Sequence, residues 1–499
     1  MDNIKSWTNT WHDLKKEREP NKHRTPFDQL IDTNELLAFI AVLLATNQNV
    51  YLPRYELYFQ QKEDRWLFHT PGFSKVFTER RFRQLNRYIF FADPESDQFQ
   101  DLQQALREDK LCKIRPFIEH LQKAFAEYFN CGKCIAIDEA MVPFKGKLSI
   151  KQRIFGKPVR WGIKMFELCD SETEYLSRFE VYLGKGKDGE PSSTALGKAG
   201  AVVARLTSDF HGKGHELYTD NWYTSLAMCL FLQSRDIYVC GTTRSDRKGY
   251  PQELKNLKAK DLQRGDSDLR VYKGHVAFTW KDNKIVHFLS SVHSPEEVAV
   301  VQRKTKERQT GQFVEIDVPA HKIVLDYNAN MGAVDLNDQM TTVHKSRKQM
   351  RWYLHLFIKG LELAVYNAYV LQGFFLDHNP PGSRKRDFLA FREDLIMQLI
   401  GQWRASRSRP GRKRKALPSR LENVCHLPVK GEGEDHTCEV CREKFRRFKK
   451  ANPHAPRSPS NPKMTKITFK CMQCDVYLCI SRKNNCFKDY HELVEFWRH

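Results

Sequence analysis

The sequence predicts an α/β fold with a mixed sheet, set between a mainly helical N-terminal region and a cysteine-rich C-terminal region. Apolar residues recur at helical spacing between about residues 33 and 129, and short apolar runs typical of β-strands replace that pattern from Cys134. Seven of the thirteen cysteines lie at or beyond Cys425. Strands followed by a helix and a further strand are typical of a layered α/β arrangement.

The individual elements follow from these patterns. NELLAFIAVLLA at 34–45 and RFRQLNRYIFF at 81–91 have the apolar spacing of helices. Strands are predicted next at CIAID (134–138), GIKMFELCD (162–170), FEVYLG (179–184) and HELYTD (215–220). A helix is predicted between the last two of these, at SSTALGKAGAVVARLT (192–207). A Lys- and Gly-rich section from about Tyr250, containing LRVYKG, HVAFTWKD and KIVHFLSSV, predicts a β-rich insertion. Helical spacing returns at GAVDLNDQMTTVHKSRKQMRWYLHLFIKGLELAVYNAYVL (332–371).

The charge of the chain points to a partner rich in phosphate. Lys and Arg number 82 against 61 Asp and Glu, which leaves a net charge of +21. Such a charge favours a nucleic-acid backbone, because each neutralised phosphate releases counterions. A membrane surface is the competing interpretation, but no run approaches the roughly 20 apolar residues that span a bilayer, and MDNIKSWTNTWHDLKKE is not a signal peptide. We therefore expect no membrane association.

Four aspartates stand where a sheet or a helix can present them together. Asp138 ends the strand CIAID, and Asp220 ends HELYTD just ahead of a helix. Asp335 and Asp338 are three residues apart, so they share one face if their segment is helical. Each also has a structural interpretation, as a cap or turn residue for the first two and as a solvated helix face for the other two.

The combination favours metal binding. Two magnesium ions about 4 Å apart need several hard oxygen ligands that converge on one point. Carboxylates at two strand ends and on a later helix supply such ligands, and they repel one another when no cation is present. We therefore predict that these four aspartates hold two Mg²⁺ ions.

Several blocks of the sequence resemble, in order, those of the piggyBac transposase family. The blocks are RFRQLNRYIFFAD, DKLCKIRPFIEHL, DEAMVPFKGK (138–147), KPVRWGIKMFELCD (157–170), YTDNWYTS (218–225), VCGTTRSDRKGYP (239–251), SSVHS (290–294) and DYNANMGAVDLNDQM (326–340). The resemblance implies a ribonuclease-H-like catalytic domain with a triad of aspartates, interrupted by the β-rich insertion. It assigns Asp138, Asp220 and Asp335 to the first, second and third catalytic positions and Asp338 to an additional acid.

The resemblance also implies an activity. A transposase of this family would nick the transposon end with water, form a hairpin through the freed 3′-hydroxyl, and join the end to double-stranded target DNA at TTAA. It would act as a homodimer, because paired ends must be cut together, and it would work in the nucleus. The alternative is a domesticated, transposase-derived DNA-binding protein without strand transfer, and the presence of all three aspartates favours the enzyme.

The C-terminal cysteines predict a zinc-binding domain. Two CxxC pairs fix sulfur ligands at spacings suited to tetrahedral zinc, and further Cys and His residues surround them. The eight candidate ligands, sufficient for two Zn²⁺ ions in a cross-braced arrangement, are His426, Cys438, Cys441, Cys471, Cys474, Cys479, Cys486 and His491. The sequence leaves their partition open, and Cys425 is an alternative to His426. Cys131 and Cys134 form a single CxxC that we interpret as structural.

Basic residues near these sites are candidates for DNA contact. Lys145 and Lys147 follow Asp138 closely, and cations beside a metal site suit the phosphates of a bound strand. Arg446 and Arg447 belong to FRRFKK, which we predict to be a loop that follows the phosphate backbone. The linker that contains Arg412, Lys413, Arg414 and Lys415 has three interpretations: a nuclear localisation signal, a DNA-contacting arm or a solvated charge run.

These patterns and the resemblance divide the chain into seven segments. They are a mainly helical dimerisation and DNA-binding region (1–131), the first part of the catalytic domain (132–250), the β-rich insertion domain (251–320), the second part of the catalytic domain (321–360), the second part of the helical region (361–403), a basic linker (404–424) and the zinc-binding domain (425–499).

Overall fold

The computed structural model places the chain in two compact units, Met1–Ala405 and Ser406–His499, which we describe separately. The structure describes residues 1–20, 27–30, 32–48, 52, 55–59, 72–154, 159–184, 196–306, 312–342, 351–377, 387–404, 426–431, 435–456, 458–459, 461–481, 485–493 and 495–497. No helix within these ranges is both long enough and apolar enough to cross a membrane.

Helices dominate both ends of the first unit. Those N-terminal to the first strand are α1 (Asp2–Arg18), α2 (Thr33–Gln48), α3 (Phe73–Val76), α4 (Glu79–Tyr88), α5 (Leu102–Glu108) and α6 (Arg115–Tyr128). The later ones are α7 (Gly197–Leu206), α8 (Leu226–Gln233), α9 (Gln252–Lys255), α10 (Lys322–Asn330), α11 (Ala333–Thr342), α12 (Trp352–Asp377) and α13 (Phe388–Ile400). The predicted helices at 34–45 and 81–91 are confirmed as α2 and α4, although α4 ends at Tyr88. α7 covers Gly197–Leu206 of the helix predicted at 192–207, whose first four residues lie outside the described ranges.

The N-terminal and C-terminal helices of this unit form one helical layer. α2 is apolar on almost every side and is buried, and both α12 and α13 pack against it. A buried ion pair joins these helices, since the Arg392 guanidinium donates to both carboxylate oxygens of Glu362 and to the carbonyl oxygen of Leu44. Segments far apart in sequence therefore build a single layer.

The strands of the first unit form a mixed sheet. They are β1 (Cys134–Pro143), β2 (Lys151–Arg153), β3 (Trp161–Asp170), β4 (Leu176–Val181), β5 (His215–Thr219), β6 (Ile237–Thr243), β7 (Ser267–Tyr272), β8 (His275–Lys281), β9 (Ile285–Ser290), β10 (Val298–Lys306) and β11 (Phe313–His321). The sheet has the order β2-β3-β1-β5-β6-β9-β8-β7. β4 also pairs with β3, along Met165–Cys169, beyond the residues of β3 that pair with β2. β1 is antiparallel to β3 but parallel to β5, which is parallel to β6.

Two cores lie on opposite faces of this sheet. Alternation along β1 sends Ala136 and Ala140 into the core shared with the helical layer, and Ile135 and Ile137 into a second core. α6, α11 and α12 pack on the first face, and α7 and α8 pack on the other. A sheet buried on both faces explains why its central strands read as nearly continuous apolar runs.

The strands of the segment 251–320 continue this sheet and then leave it. β9 pairs antiparallel with β6, so β7, β8 and β9 extend the same sheet. β10 and β11 pair with each other as a two-stranded ribbon. Trp280 of β8 is buried and donates from Nε1 to the carbonyl oxygen of Pro319 at 2.8 Å, which ties the ribbon to the sheet.

The second unit consists of short elements around its cysteines. Its elements are β12 (Pro428–Lys430), β13 (His436–Thr437), α14 (Glu439–Ala451), β14 (Lys466–Ile467), β15 (Phe469–Cys471) and α15 (Cys486–Glu492). Apart from Val440 and Leu478, the fully buried core of this unit is made of cysteines. A core this small rarely holds a fold together without a metal or disulfides.

Candidate active site and candidate metal centres

The register of two parallel strands brings Asp138 and Asp220 to the same end of the sheet. Ile137 of β1 lies beside Thr219 of β5, and each aspartate is the next residue along its strand. Asp220 directly follows the last residue of β5, whereas Asp138 lies within β1, which continues to Pro143. The prediction that Asp138 ends its strand is therefore wrong, because antiparallel pairing with β3 extends β1 as far as Pro143, but the two aspartates are level with each other on neighbouring strands.

Asp220 belongs to a tight turn between β5 and α8. Its Oδ1 accepts a hydrogen bond from the backbone N–H of Trp222 at 2.8 Å, and its carbonyl oxygen accepts one from Thr224 Oγ1. The cap of α8 is Ser225, so the interpretation of Asp220 as a helix cap is wrong. Burial raises the pKa of the Asp220 carboxyl, the Trp222 N–H lowers it, and the negative charge of Glu139 raises it again.

Asp335 and Asp338 lie on one helix, as predicted. They belong to α11, which packs against β1 and β3 on the face that carries the helical layer. Asp335 is exposed, whereas Asp338 is half-buried and accepts a hydrogen bond from Lys359 Nζ at 2.7 Å. Lys359 is itself buried and also donates to Thr341 Oγ1 at 2.7 Å.

The charges of Asp138 and Asp220 act on the same two tyrosines, the half-buried Tyr327 and the buried Tyr223. Burial raises the pKa of Tyr327 to about 12, and the charges of Asp220 and Asp138 add to the rise. Burial also raises the pKa of Tyr223, and both aspartates contribute again, together with Glu139. Two aspartates that affect the same two hydroxyls share one environment.

The described aspartates do not form a compact ligand set. Among the residues that the structure describes, two groups hold three or more candidate ligand atoms within 4.8 Å of one another, one of four cysteines and one of two cysteines and two histidines. Like charges keep carboxylates apart when no cation lies between them, and Asp338 is paired with Lys359. The donor set still fits Mg²⁺ in its chemistry, because every ligand is a hard carboxylate oxygen.

The neighbours of these acids have clear roles. Glu139 points to the other face from Asp138, as strand alternation predicts, and its Oε2 lies 3.7 Å from Lys164 Nζ. Lys164 Nζ also lies 4.7 Å from the ring centroid of Trp222, which stacks on Phe166. Glu139 is therefore neutralised by a lysine that rests on two aromatic rings.

Other predicted contact residues near the sheet are placed as follows. Lys145 and Lys147 are both exposed in the segment after β1, where a DNA strand can reach them. For Trp222 and Tyr223 the sequence predicts either stacking on an exposed base or packing in the core. Tyr223 is buried in the core and thus has the packing role, while Trp222 is half-buried next to Asp220.

The second unit brings the eight predicted zinc ligands into two groups. One group is His426, Cys471, Cys474 and His491, and the other is Cys438, Cys441, Cys479 and Cys486. The groups alternate along the chain, which is the cross-braced arrangement that the sequence predicted. The partition that the sequence left open is settled by the fold, whereas Cys425 lies outside the described residues.

The separations within each group match tetrahedral zinc. Cys441 Sγ lies 3.8 Å from Cys479 Sγ and 3.7 Å from Cys486 Sγ. His426 Nδ1 lies 3.5 Å from Cys474 Sγ, which lies 3.6 Å from His491 Nε2. With Zn–S bonds of about 2.3 Å and Zn–N bonds of about 2.0–2.1 Å, a tetrahedron sets sulfurs about 3.8 Å apart and sulfur and nitrogen about 3.5–3.6 Å apart.

The surroundings of these groups also suit metal binding. The His491 Nδ1 lies 2.7 Å from the carbonyl oxygen of Phe487, and a proton held there leaves Nε2 available to a metal. The hydrogen bond from Cys438 lowers the pKa of the Cys441 thiol to about 2, and hydrogen bonding to Cys438 raises the pKa of Cys486. Thiols this crowded share protons that a metal ion would displace.

One prediction about this unit is wrong. FRRFKK at 445–450 is part of helix α14 and is not a loop. Arg446 and Arg447 follow Glu443 by three and four residues, so both guanidinium groups fold back onto that carboxylate at 2.9 and 2.8 Å. The Arg447 guanidinium also lies 3.8 Å from the ring centroid of Trp497. The basic run Arg412 to Lys415 lies outside the described residues.

Comparison with known proteins identifies the family. A family model described as Transposase IS4 matches residues 15–369, a segment that contains all four aspartates. The chain belongs to the piggyBac family of transposases. Membership implies transposition chemistry on DNA and the use of divalent metal ions, and it confirms the resemblance seen in the sequence blocks.

Individual piggyBac relatives match most of the chain at low identity. Human PiggyBac transposable element-derived protein 3 is 25% identical over 473 residues, covering 92% of this chain and 70% of that protein. Human PiggyBac transposable element-derived protein 2 is 23% identical over 429 residues, covering 83% and 67%. A cryo-EM structure of a piggyBac transposase synaptic complex with hairpin DNA contains a chain of the same fold, with a TM-score of 0.66 and 22% identity over 96% of this chain and 92% of that one.

Two residues beside the piggyBac aspartates were not singled out from the sequence. Glu167 of β3 is fully buried and lies directly opposite Asp138 in the β1–β3 register. Lys359 of α12 is buried against Asp338. A charged residue in the middle of an apolar strand or helix was the available signal, because such residues are rarely fully buried unless they are paired.

Proposed function

We propose that this chain is a cut-and-paste DNA transposase whose catalytic triad is Asp138, Asp220 and Asp335. The observation that carries the proposal is the parallel register of β1 and β5, in which Asp138 and Asp220 are level with each other on neighbouring strands, with α11 packed on β1. The mixed order of the central strands, antiparallel on one side of β1 and parallel on the other, supports a ribonuclease-H-like catalytic domain.

The triad would hold two Mg²⁺ ions, with Asp338 as an additional ligand. When bound, two such ions activate an attacking oxygen and stabilise the leaving oxygen of a phosphodiester. Asp138 within β1 and Asp220 directly after β5 contribute carboxylates fixed by rigid strands, which is how a site gains precise geometry. Asp335 comes from an exposed position on α11, so it completes the site from the solvent side.

The substrate is double-stranded DNA. The net charge of +21 supports a phosphate-rich partner, and Lys145 and Lys147 are exposed cations close in sequence to Asp138. Hairpin formation at transposon ends, insertion at TTAA, a homodimer that pairs two ends, and action in the nucleus are the further parts of the proposal. They come from the family resemblance, and the solved relative in complex with hairpin DNA is consistent with the first of them.

The second unit would bind two Zn²⁺ ions and recognise DNA. Its two ligand groups have the separations of tetrahedral zinc sites. The exposed face of α14 carries Arg446 and Arg447, and these cations would contact phosphates at the transposon end.

A domesticated DNA-binding protein is the second candidate function. The relatives found in the human genome are named as transposable element-derived proteins, which favours it. Such a protein would keep the fold and the zinc groups without strand transfer.

Strand cleavage distinguishes the two candidates. A labelled duplex carrying the flanking transposon end next to TTAA is incubated with zinc-loaded protein and Mg²⁺, and the products are separated on denaturing gels. The transposase is expected to give a nick and then a hairpin, and Asp138→Asn, Asp220→Asn and Asp335→Asn should each abolish both. Tight binding of that duplex without any cleavage by the unsubstituted protein would leave the DNA-binding protein as the function.

A further inference from the structure

Lys359 is a buried lysine that lies against the proposed magnesium site. Its side chain is 7% exposed, and Nζ donates to Asp338 Oδ1 and to Thr341 Oγ1, both at 2.7 Å. The positions around it on α12, Leu356 and Leu363, are apolar. Burying an ammonium among apolar side chains costs free energy unless an anion compensates it. We therefore expect the positive charge of Lys359 to have a role of its own.

A second buried acid lies on the same face of the sheet. Glu167 is opposite Asp138 in the antiparallel β1–β3 register, and directly opposed residues point to the same side. Lys359 lines a small cavity together with Met165 and Phe179. Met165 precedes Glu167 by two residues on β3, and Phe179 pairs with Glu167 on β4, so the lysine lies over the part of the sheet that holds this glutamate.

Three acids thus lie on this face, and Lys359 is a buried cation in direct contact with one of them, Asp338. Asp138, Glu167 and Asp338 would repel one another if no positive charge were present. The ammonium of Lys359 is within hydrogen-bond distance of Asp338, so its charge favours the position of α11 against α12 and the sheet before any metal binds.

We propose that Lys359 is a positioning residue that supplies, in the metal-free protein, the positive charge that Mg²⁺ supplies in the loaded one, and that it competes with Mg²⁺ for Asp338. This inference rests on the proposed function, because it assumes that Mg²⁺ binds at Asp138 and Asp338. It predicts two opposite effects of removing the charge. The metal-free chain loses stability, while its affinity for Mg²⁺ rises.

The test is thermal unfolding of the full chain in EDTA and across a Mg²⁺ titration. Lys359→Met keeps the length of the side chain and removes the charge, and Lys322→Met is the matched control, because Lys322 is an exposed lysine paired with Glu297. Lys359→Met is expected to lower Tm in EDTA and to move the midpoint of Mg²⁺-dependent stabilisation to about tenfold lower concentration. Lys359→Arg should restore both values towards those of the unsubstituted chain.

The outcomes separate this inference from the proposed function. A lysine that only fills space would lower Tm equally at every Mg²⁺ concentration, so an unmoved or raised midpoint overturns the inference and leaves the magnesium site standing. An unsubstituted chain whose Tm does not respond to Mg²⁺ contradicts the magnesium site itself.

A second substitution tests the charge balance without metal. Glu167→Gln removes one negative charge at nearly constant size, and in EDTA it is expected to recover part of the Tm lost in Lys359→Met. If Tm does not recover, Lys359 does not offset the charge of Glu167, and the inference is overturned. If Lys359→Met alone does not fold, it is replaced by the double variant that combines Lys359→Met with Glu167→Gln. The inference predicts that this double variant folds, so its failure to fold would overturn the inference.

Discussion

The division of eight cysteine and histidine ligands into two groups predicts which pairs of substitutions remove one zinc ion and which remove two. Cys438 and Cys479 belong to one group, and Cys474 belongs to the other. Combining Cys438→Ser with Cys479→Ser should therefore leave one zinc ion bound. Combining Cys438→Ser with Cys474→Ser damages both groups, so we expect both ions to be lost.

The geometry sets the size of the effect. Separations of 3.7 and 3.8 Å between the sulfurs are those of full ligands to one tetrahedral ion. Binding to a structural zinc site amounts to about 10–16 kcal/mol, so one ligand in four accounts for about 2.5–4 kcal/mol. The loss of one sulfur should thus weaken zinc binding at its own site by about 60- to 700-fold.

The assay is zinc content by mass spectrometry after equilibration of the full chain with a chelator of known affinity. Cys134→Ser is the control, because this half-buried thiol lies outside both groups. Equal zinc content in the two double variants would refute the partition. Two ions retained in both would refute zinc binding by these groups altogether.

Three further predictions concern stability. Glu362→Gln should destabilise the helical layer by about 3–5 kcal/mol in denaturant unfolding, because it leaves the buried guanidinium of Arg392 without its anion; an effect below about 1 kcal/mol would contradict this. Gly241→Ala should lower the free energy of unfolding by about 1–3 kcal/mol, because the new Cβ would lie 2.5 Å from a carbonyl oxygen of β5. Gly72→Ala is the control and should change little in the same measurement, since its Cβ would meet nothing within 4 Å. Burial lowers the pKa of His287 below its ordinary 6.5, so the stability gained from the neutral ring is present above pH 6.5 and is lost as the pH falls through the lowered pKa. As the pH is lowered from about 7 to 5.5, the Tm of His287→Gln should therefore rise relative to that of the unsubstituted chain. A Tm difference that does not change with pH would contradict this.

The sequence was informative wherever a local pattern determined the structure. The run CIAID forms the first half of β1 because its apolar residues alternate into two cores, but the strand continues beyond Asp138 to Pro143. The spacing of Asp335 and Asp338 fitted one helix, and α11 is that helix. The eight candidate zinc ligands were identifiable because the two CxxC pairs fix sulfur positions over a few residues.

Properties that depend on distant contacts were not predictable in the same way. The pairing of His426 with Cys471 needs the strand pairing of β12 with β15, which no local spacing reveals. Lys359 meets Asp338 only because α12 packs on α11. FRRFKK was predicted as a loop from its mixture of cations and aromatics, although the i, i+3 and i, i+4 pairs to Glu443 are helical spacing.

The central claim is that Asp138, Asp220 and Asp335 hold divalent ions together, and it can be tested without knowing the transposon ends. Fe²⁺ is substituted for Mg²⁺, and ascorbate with peroxide then generates hydroxyl radicals that cut the polypeptide next to the bound ion. We predict cuts around Asp138 within β1, at the β5–α8 turn and at the start of α11, all of them suppressed by excess Mg²⁺ and by Asp220→Asn. Cuts confined to one of these segments, or cuts that persist in Asp220→Asn, would contradict a shared metal site.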